Sequence, residues 1–349
     1  MNTIKRTFLL KWVFYLVTAL MSTLLNAQIN NVIVDVNGAG DFKTIQEAIN
    51  SLPQNSESDR VVFIKNGVYK EQILIEKNHV VLKGEHREKT IITGEIAHLV
   101  FKKKYPDNKY SGIVNLEGND ITITNLTIEN TYGRFPREEF EIEYLDTKNG
   151  DIKKETVKRR AHQFALRSFN TTRLIVTNCT IRAWGADTVS PWNAENGMYY
   201  FKDCTLQGGT DFYCPRGWSY AENCTFIVAI YTSGALWHDG SKNVNMKSVL
   251  KDCKFIGLVP YKLGRYHRDA QMYLVNATFD ELMEDKEIYK TGPVSENFPT
   301  ERIYYYNCHR KGADFDWYKN NLDKVKGGLS VNDINVQWTF DGMWDPTKK

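Results

Sequence analysis

The chain has 349 residues, 42% of them hydrophobic and 13% aromatic, which is enough for a large buried core and argues against disorder. Its formal charge of +3 traces to Lys5, Arg6 and Lys11, and the rest of the chain carries 42 basic and 42 acidic side chains. A neutral body has no bulk attraction for DNA, RNA or anionic lipid, which argues against nucleic-acid and membrane-surface binding.

Residues 1–27 read as a signal peptide. A basic start ends at Lys11, an apolar run extends from Trp12 to Leu25, and Leu25-Asn26-Ala27 forms a small-residue cleavage site that leaves Gln28 first. The run is short for a spanning helix, and no later stretch approaches that length. The expectation is a secreted or periplasmic monomer whose single domain occupies 28–349. Near its start, the spacing of Ile45, Ala48, Ile49 and Leu52 predicts one short helix over Thr44 to Leu52.

Further along, a short pattern recurs: apolar and polar residues, then Asn or Asp, then a small or apolar residue, Thr or Lys, and an apolar residue. It is seen at Asn125-Leu126-Thr127-Ile128, Asn178-Cys179-Thr180-Ile181, Asp203-Cys204-Thr205-Leu206, Asn223-Cys224-Thr225-Phe226, Asp252-Cys253-Lys254-Phe255 and Asn276-Ala277-Thr278-Phe279. A period of about 20 to 30 residues with strand alternation indicates a solenoid of β-coils. Asn and Asp tolerate left-handed turns, so each marks a corner. The residue after it and the one two further on point inward. The predicted fold is all-β, a right-handed single-stranded parallel β-helix. Cys179, Cys204, Cys224 and Cys253 share one inward position, where they stack as small apolar residues in preference to bridging.

Two regions break the pattern. Residues 133–160 hold fifteen charged side chains, alternating Phe140, Ile142 and Tyr144, and the turn signal Asn149-Gly150, which together predict a hairpin projecting from the coils. Beyond about residue 281 the repeat fades into an aromatic-rich tail, expected to cover the open strand edges of the last coil.

Counted from the repeat's central residue, Asp187 lies eight positions after Cys179 and Asp211 seven after Cys204. The two carboxylates therefore fall at nearly the same point on consecutive coils, about 4.8 Å apart. Like charges that close tend to share a proton, so one can act as nucleophile or base while the other donates a proton. Arg265 lies where it can hold the ionised partner. The same aspartates would also serve as turn caps, and register alone leaves both roles open. Trp184, Trp192, Trp218 and Trp237 cluster around these coils, with Trp184 and Trp218 the candidates for a sugar groove. Cys214 faces inward by parity with Asp211, and His238 and Asp239 face opposite ways. No CxxC pair or His-rich cluster points to a metal, and no GxSxG elbow points to a serine esterase.

Several blocks resemble the pectin methylesterases, carbohydrate esterases with a right-handed parallel β-helix. Val32 to Ile49 reads VIVDVNGAGDFKTIQEAI and is followed by Gly67-Val68-Tyr69-Lys70-Glu71, both similar to that family's opening. Asp187-Thr188-Val189 resembles its QDTL block, Asp211-Phe212-Tyr213 its DFIFG block and Leu263-Gly264-Arg265 its LGRPW block. Tyr306-Asn307 and Gly312-Ala313 before Trp317 resemble its C-terminal segment. The resemblance implies that Asp211 attacks the methyl-ester carbonyl, Asp187 protonates methanol and then activates water, and Arg265 orients Asp211. It implies no cofactor or metal, and methyl-esterified pectic polysaccharide as the partner.

The departures fall near that site. Ala186 stands for the family's Gln, Tyr266 and His267 for its Pro-Trp, and Pro215 for its Gly. Against the family's QAVALR, the gap-free alignment of His162-Gln163-Phe164-Ala165-Leu166-Arg167 puts His162 at the oxyanion-stabilising Gln. A slip of one residue would select Gln163, and slipping reverses facing, so only one of the two can serve. His162 is preferred because Ala165-Leu166-Arg167 then stay in place. His162, Ala186 and His267, with the hairpin upstream, point to a branched or complex pectin. The alternatives are a β-helix lyase or glycosidase, and a noncatalytic polysaccharide-binding solenoid.

Overall fold

In a computed structural model, which describes residues 31–147, 149–230, 234–239, 243–267, 270–292 and 302–348, the corners of the repeat are left-handed. The backbone φ is 59° at Asn125, 49° at Asn178, 55° at Asp203, 50° at Asn223, 55° at Asp252 and 50° at Asn276. Short polar side chains can bond locally at such turns, which is why Asn and Asp occupy them. The expected signal peptide lies outside the described residues.

Between corners the chain builds three parallel faces. Ten strands run from Asn31–Val34 to Arg302–Tyr306, and nine from Gly67–Lys70 to His309–Arg310. The third face holds Ile73–Ile75, Val114–Leu116, Leu166–Ser168 and Val189–Ser190, then Leu236–His238, Gly264–Tyr266 and Tyr289–Lys290. Single bridges from Val189 to Tyr213 and from Tyr213 to Leu236 join its two parts. The crossovers of such parallel strands are right-handed, so the molecule is the right-handed parallel β-helix expected. Its interior stacks like on like: Cys179, Cys204, Cys224 and Cys253 in one file, and Ile181, Leu206, Phe226, Phe255 and Phe279 in another. Among the described residues all six cysteines are buried free thiols, so the file is a thiol ladder.

The predicted helix forms at Ile45–Ser51. Thr44 caps it by accepting from the Glu47 amide, and the Glu71 carboxylate accepts the amides of Ile45 and Gln46. Ile45, Ala48, Ile49 and Leu52 are buried, so this helix closes the N-terminal end.

Three sequence expectations need correction. A second helix, His98–Lys104, was not anticipated, because seven residues show too little periodicity to stand out. The hairpin forms as strands Phe140–Asp146 and Asp151–Val157, but it does not simply project. Ile142, Tyr144 and Val157 pack with Ala97 and Tyr132 against that helix, while Phe140 stays exposed. Finally, the coils run beyond residue 281. Arg302–Tyr306 pairs with Gln271–Val275, Asn307 turns left-handed and Cys308 joins the thiol position. Arg310 stands where earlier coils have an apolar residue, which hid this last coil.

The tail does two jobs. Trp317 and Tyr318 pack on Tyr305 and Phe279 and close the end as expected. From Leu322 onward it runs back over the outer face of the ten-stranded sheet, where Leu322, Ile334, Val336 and Phe340 cover Tyr200, Trp218, Tyr220 and Tyr273.

Candidate active site

The third face brings the acid pair together. Val189 pairs with Tyr213 and Trp192 with Arg216, a constant offset that sets Asp187 opposite Asp211 on the next coil. Both adopt left-handed backbone, with φ of 59° and 53°. The Asp187 amide donates to Thr210 O at 3.2 Å and the Asp211 amide to Gly234 O at 2.7 Å, so each is fixed by the coil that follows it. Each residue is only 8% exposed, which leaves little water to solvate two carboxylates.

Asp211 is clamped. Arg265 Nε donates to its Oδ1 at 2.9 Å and Nη2 to its Oδ2 at 2.6 Å, a two-pronged contact that fixes the carboxylate plane. Burial pushes the Asp211 carboxyl up to about 6, with Arg265 opposing the rise and Asp187 adding to it. The group is therefore ionised at neutral pH yet more basic than an ordinary aspartate.

Asp187 is held more loosely, between an imidazole and a guanidinium. His162 Nε2 lies 3.7 Å from its Oδ1, and Arg216 Nη2 lies 3.7 Å from its Oδ2. The His162 ring is half exposed and stacks on Phe164, with His98 edge-on 6.3 Å away. Burial pushes the His98 imidazole down to about 3, so it is neutral, and Nδ1 shares a hydrogen bond with Ser111 Oγ at 2.7 Å. Arg167 also donates to Ser111 Oγ, and its guanidinium lies over the Phe164 ring that supports His162.

Of the other predicted site residues, His267 is near the centre. Its Nδ1 lies 3.6 Å from Asp239 Oδ1, and its ring meets Trp237 edge-on at 4.4 Å. Trp184 is half-buried beneath Arg134, which also lines a cleft of about 840 Å³ with Lys70, Glu129 and Arg182. Trp218 is displaced from the groove it was expected to line: at 2% exposed it lies under the C-terminal tail, on another face. Gln163 is likewise turned away. It is fully buried, its Oε1 accepts the Gly133 amide, and its Nε2 donates to Arg159 O. That leaves His162 as the side chain of the two facing the acids, as the alternation of a strand requires.

Several nearby groups escaped the sequence reading. Trp237 packs beneath Arg265 at 5.1 Å, and Trp192 beneath Arg216 at 4.4 Å. Both belonged to the tryptophan cluster but were ranked below Trp184 and Trp218. Arg216 and Asp239 form a 2.6 Å ion pair across adjacent coils, from blocks whose partnership no spacing rule signals. Among the described residues, no cluster of three or more His, Cys, Asp or Glu side chains is arranged to hold a metal.

Two close carboxylates, one of them locked by a guanidinium, are an arrangement that can support nucleophilic acyl transfer. Residues 31–139 match the Pectinesterase family model. The chain is 28% identical over 317 residues to "Probable pectinesterase/pectinesterase inhibitor 58" of Arabidopsis thaliana, covering 85% of this chain and 48% of that protein. It is 31% identical over 200 residues to a pectinesterase of Petunia integrifolia, covering 57% of this chain and 45% of the other. The chain thus spans about half the length of these relatives. A pectin methylesterase from Erwinia chrysanthemi shares the fold, with a TM-score of 0.68 at 21% identity over 90% of this chain and 97% of that one. The carrot pectin methylesterase does so at 0.64 and 19% identity, over 84% and 89%.

Proposed function

We propose that this chain is a pectinesterase, a reading supported by the family-model match and the relatives above, and that it hydrolyses methyl esters of uronic acids in pectic polysaccharide, releasing methanol. The observation that carries the reading is the two-pronged Arg265–Asp211 pair with Asp187 at the matching point of the neighbouring coil. The ionised Asp211 attacks the ester carbonyl carbon. The resulting oxyanion is stabilised by His162, an effect typically worth about 3 kcal/mol. Collapse expels the methoxy group, Asp187 gives it a proton, and an anhydride links the uronate to Asp211. Asp187, now a carboxylate, takes a proton from water, which attacks the anhydride and frees the uronate and Asp211. Arg265 keeps the attacking carboxylate ionised and in plane.

The substrate reading is a branched or complex pectin. Ala186, His162 and His267 reshape the surface around the acids, Trp237 supplies an aromatic next to Arg265, and the 133–160 hairpin stands upstream. Export after loss of residues 1–27 would bring the enzyme to such a polymer, and N-terminal sequencing of secreted material starting at Gln28 checks it. The decisive experiment measures methanol released from linear methylated homogalacturonan and from branched pectin fragments. Faster turnover of the branched material is expected, with the difference narrowed by deleting residues 133–160. Unsaturated products absorbing in the ultraviolet would identify a lyase instead, and binding without methanol a noncatalytic solenoid.

A further inference from the structure

Arg216 poses a charge problem. It is 6% exposed, it carries a permanent positive charge, and its Nη2 lies 3.7 Å from Asp187 Oδ2. A cation so placed in a poorly hydrated site favours the carboxylate form of its neighbour. A group that must hold a proton for departing methanol is badly served by it.

The guanidinium is nevertheless held in position on three sides. Its Nη1 donates to Ser190 Oγ at 2.8 Å and to Cys214 O at 3.1 Å, and its flat face lies on the Trp192 ring at 4.4 Å. Its Nε donates to Asp239 Oδ2 at 2.6 Å. The contact to Asp239 is a full hydrogen bond, whereas the separation from Asp187 exceeds hydrogen-bonding distance. Asp239 is itself anchored: its Oδ1 accepts Trp237 Nε1 at 2.7 Å, and His267 Nδ1 stands 3.6 Å away.

We propose that Asp239 is a positioning residue that claims the charge of Arg216 and so lets Asp187 keep the proton it delivers. Arg216 then acts as a steric and dipolar support for Asp187, while Arg265 serves Asp211 by a direct ion pair. The two acids receive opposite treatment from two arginines: one arginine is left to its aspartate, and the other is neutralised by a third carboxylate. This role rests on the esterase reading for its chemistry, but the charge relation among Asp187, Arg216 and Asp239 stands apart from it.

The remaining charged or titratable groups around Asp187 are His162 and Arg167 from the preceding coil, the Cys214 thiol, and Asp211 and Arg265 from the following ones. Around Asp239 they are Arg216, His238 and His267. Apart from Arg216 itself, none of these is altered by the substitutions below, so a change in titration reports on the Arg216 charge.

The test uses the full chain with Asp239→Asn and Arg216→Gln. In Asp239→Asn the uncompensated cation should draw Asp187 toward its carboxylate form. The alkaline limb of kcat/KM for methanol release then moves down by about one pH unit, while the acid limb set by Asp211 stays in place. Arg216→Gln should move the alkaline limb the other way, and Asp239→Glu should restore the wild-type profile. Asp187 is titrated in parallel by carbon NMR with carboxyl-labelled aspartate, its signal assigned by loss in Asp187→Asn. This readout needs no turnover. An enzyme that releases no methanol, but whose Asp187 titration shifts oppositely in the two variants, would sink the esterase reading and uphold the charge relation. Equal loss of activity at every pH with an unmoved Asp187 titration would overturn the proposal and leave Asp239 a structural residue. Should Asp239→Asn fail to fold, an Asp187 titration that is unmoved in Arg216→Gln overturns it on its own.

Discussion

The same backbone device appears in two parts of the molecule with opposite consequences. Along the corner between the ten-stranded and nine-stranded sheets, Asn and Asp turn the chain with φ of 49–59°. Their side chains form an exposed ladder: Asn178 donates to Asn125 at 2.8 Å, Asn223 to Asp203, Asn276 to Asp252 at 2.7 Å and Asn307 to Asn276 at 2.9 Å. On the third face, Asp187 and Asp211 adopt the same φ but are buried, and cations stand in place of carboxamides. A left-handed aspartate is thus a structural part wherever water and a neighbouring amide satisfy it. It suits the role of the proposed nucleophile where burial raises its basicity and a guanidinium fixes its plane, as at Asp211.

Exchanging the two kinds of position tests this contrast. Asp211→Asn keeps a residue that tolerates the turn, so the fold should persist while methanol release falls by about 10⁴-fold or more. Asp203→Asn in the ladder should leave turnover unchanged, and comparable losses in the two would erase the distinction. Next in size is Arg265→Ala. Wild-type activity should fall as pH drops through about 6, because Asp211 as the proposed nucleophile would attack only when ionised and burial has raised its carboxyl to that value. Arg265 opposes the rise, so its removal should move the acid limb to higher pH by about one unit and lower kcat/KM at neutral pH by about 10- to 100-fold. An acid limb that stays at the wild-type position would show that Arg265 does not act on Asp211.

His162→Ala sharpens the comparison on the Asp187 side. Loss of an oxyanion donor should cut kcat by about 100-fold with KM nearly constant, and a rise in KM alone would reassign His162 to binding. The smallest effect is expected in the ladder. Asn178→Ala combines an unfavourable left-handed alanine with the loss of its carboxamide bond to Asn125, for a stability loss of about 2 kcal/mol in urea unfolding. Catalysis by the folded fraction should not change.

The repeat was legible from the sequence because its physics is local. An Asn or Asp tolerates the left-handed corner, the alternation after it decides which residues enter the core, and a stack of identical coils repeats both choices. The inward file of cysteines, the Ile45–Ser51 helix, the hairpin strands and the register of Asp187 with Asp211 all follow from such short-range rules. The Asn307 corner escaped only because Arg310 replaced the apolar signature of its coil.

What the tertiary structure alone decided lies between segments that share no periodicity. The tail returns over the ten-stranded sheet and buries Trp218, whose aromatic character had marked it for a groove. Gln163 turns into the interior because Gly133 and Arg159, near the hairpin's base, offer its amide partners. The Arg216–Asp239 pair joins adjacent coils through two irregular turns. Packing and electrostatic pairing depend on distances in three dimensions, and a one-dimensional pattern carries them only where coil repeats upon coil.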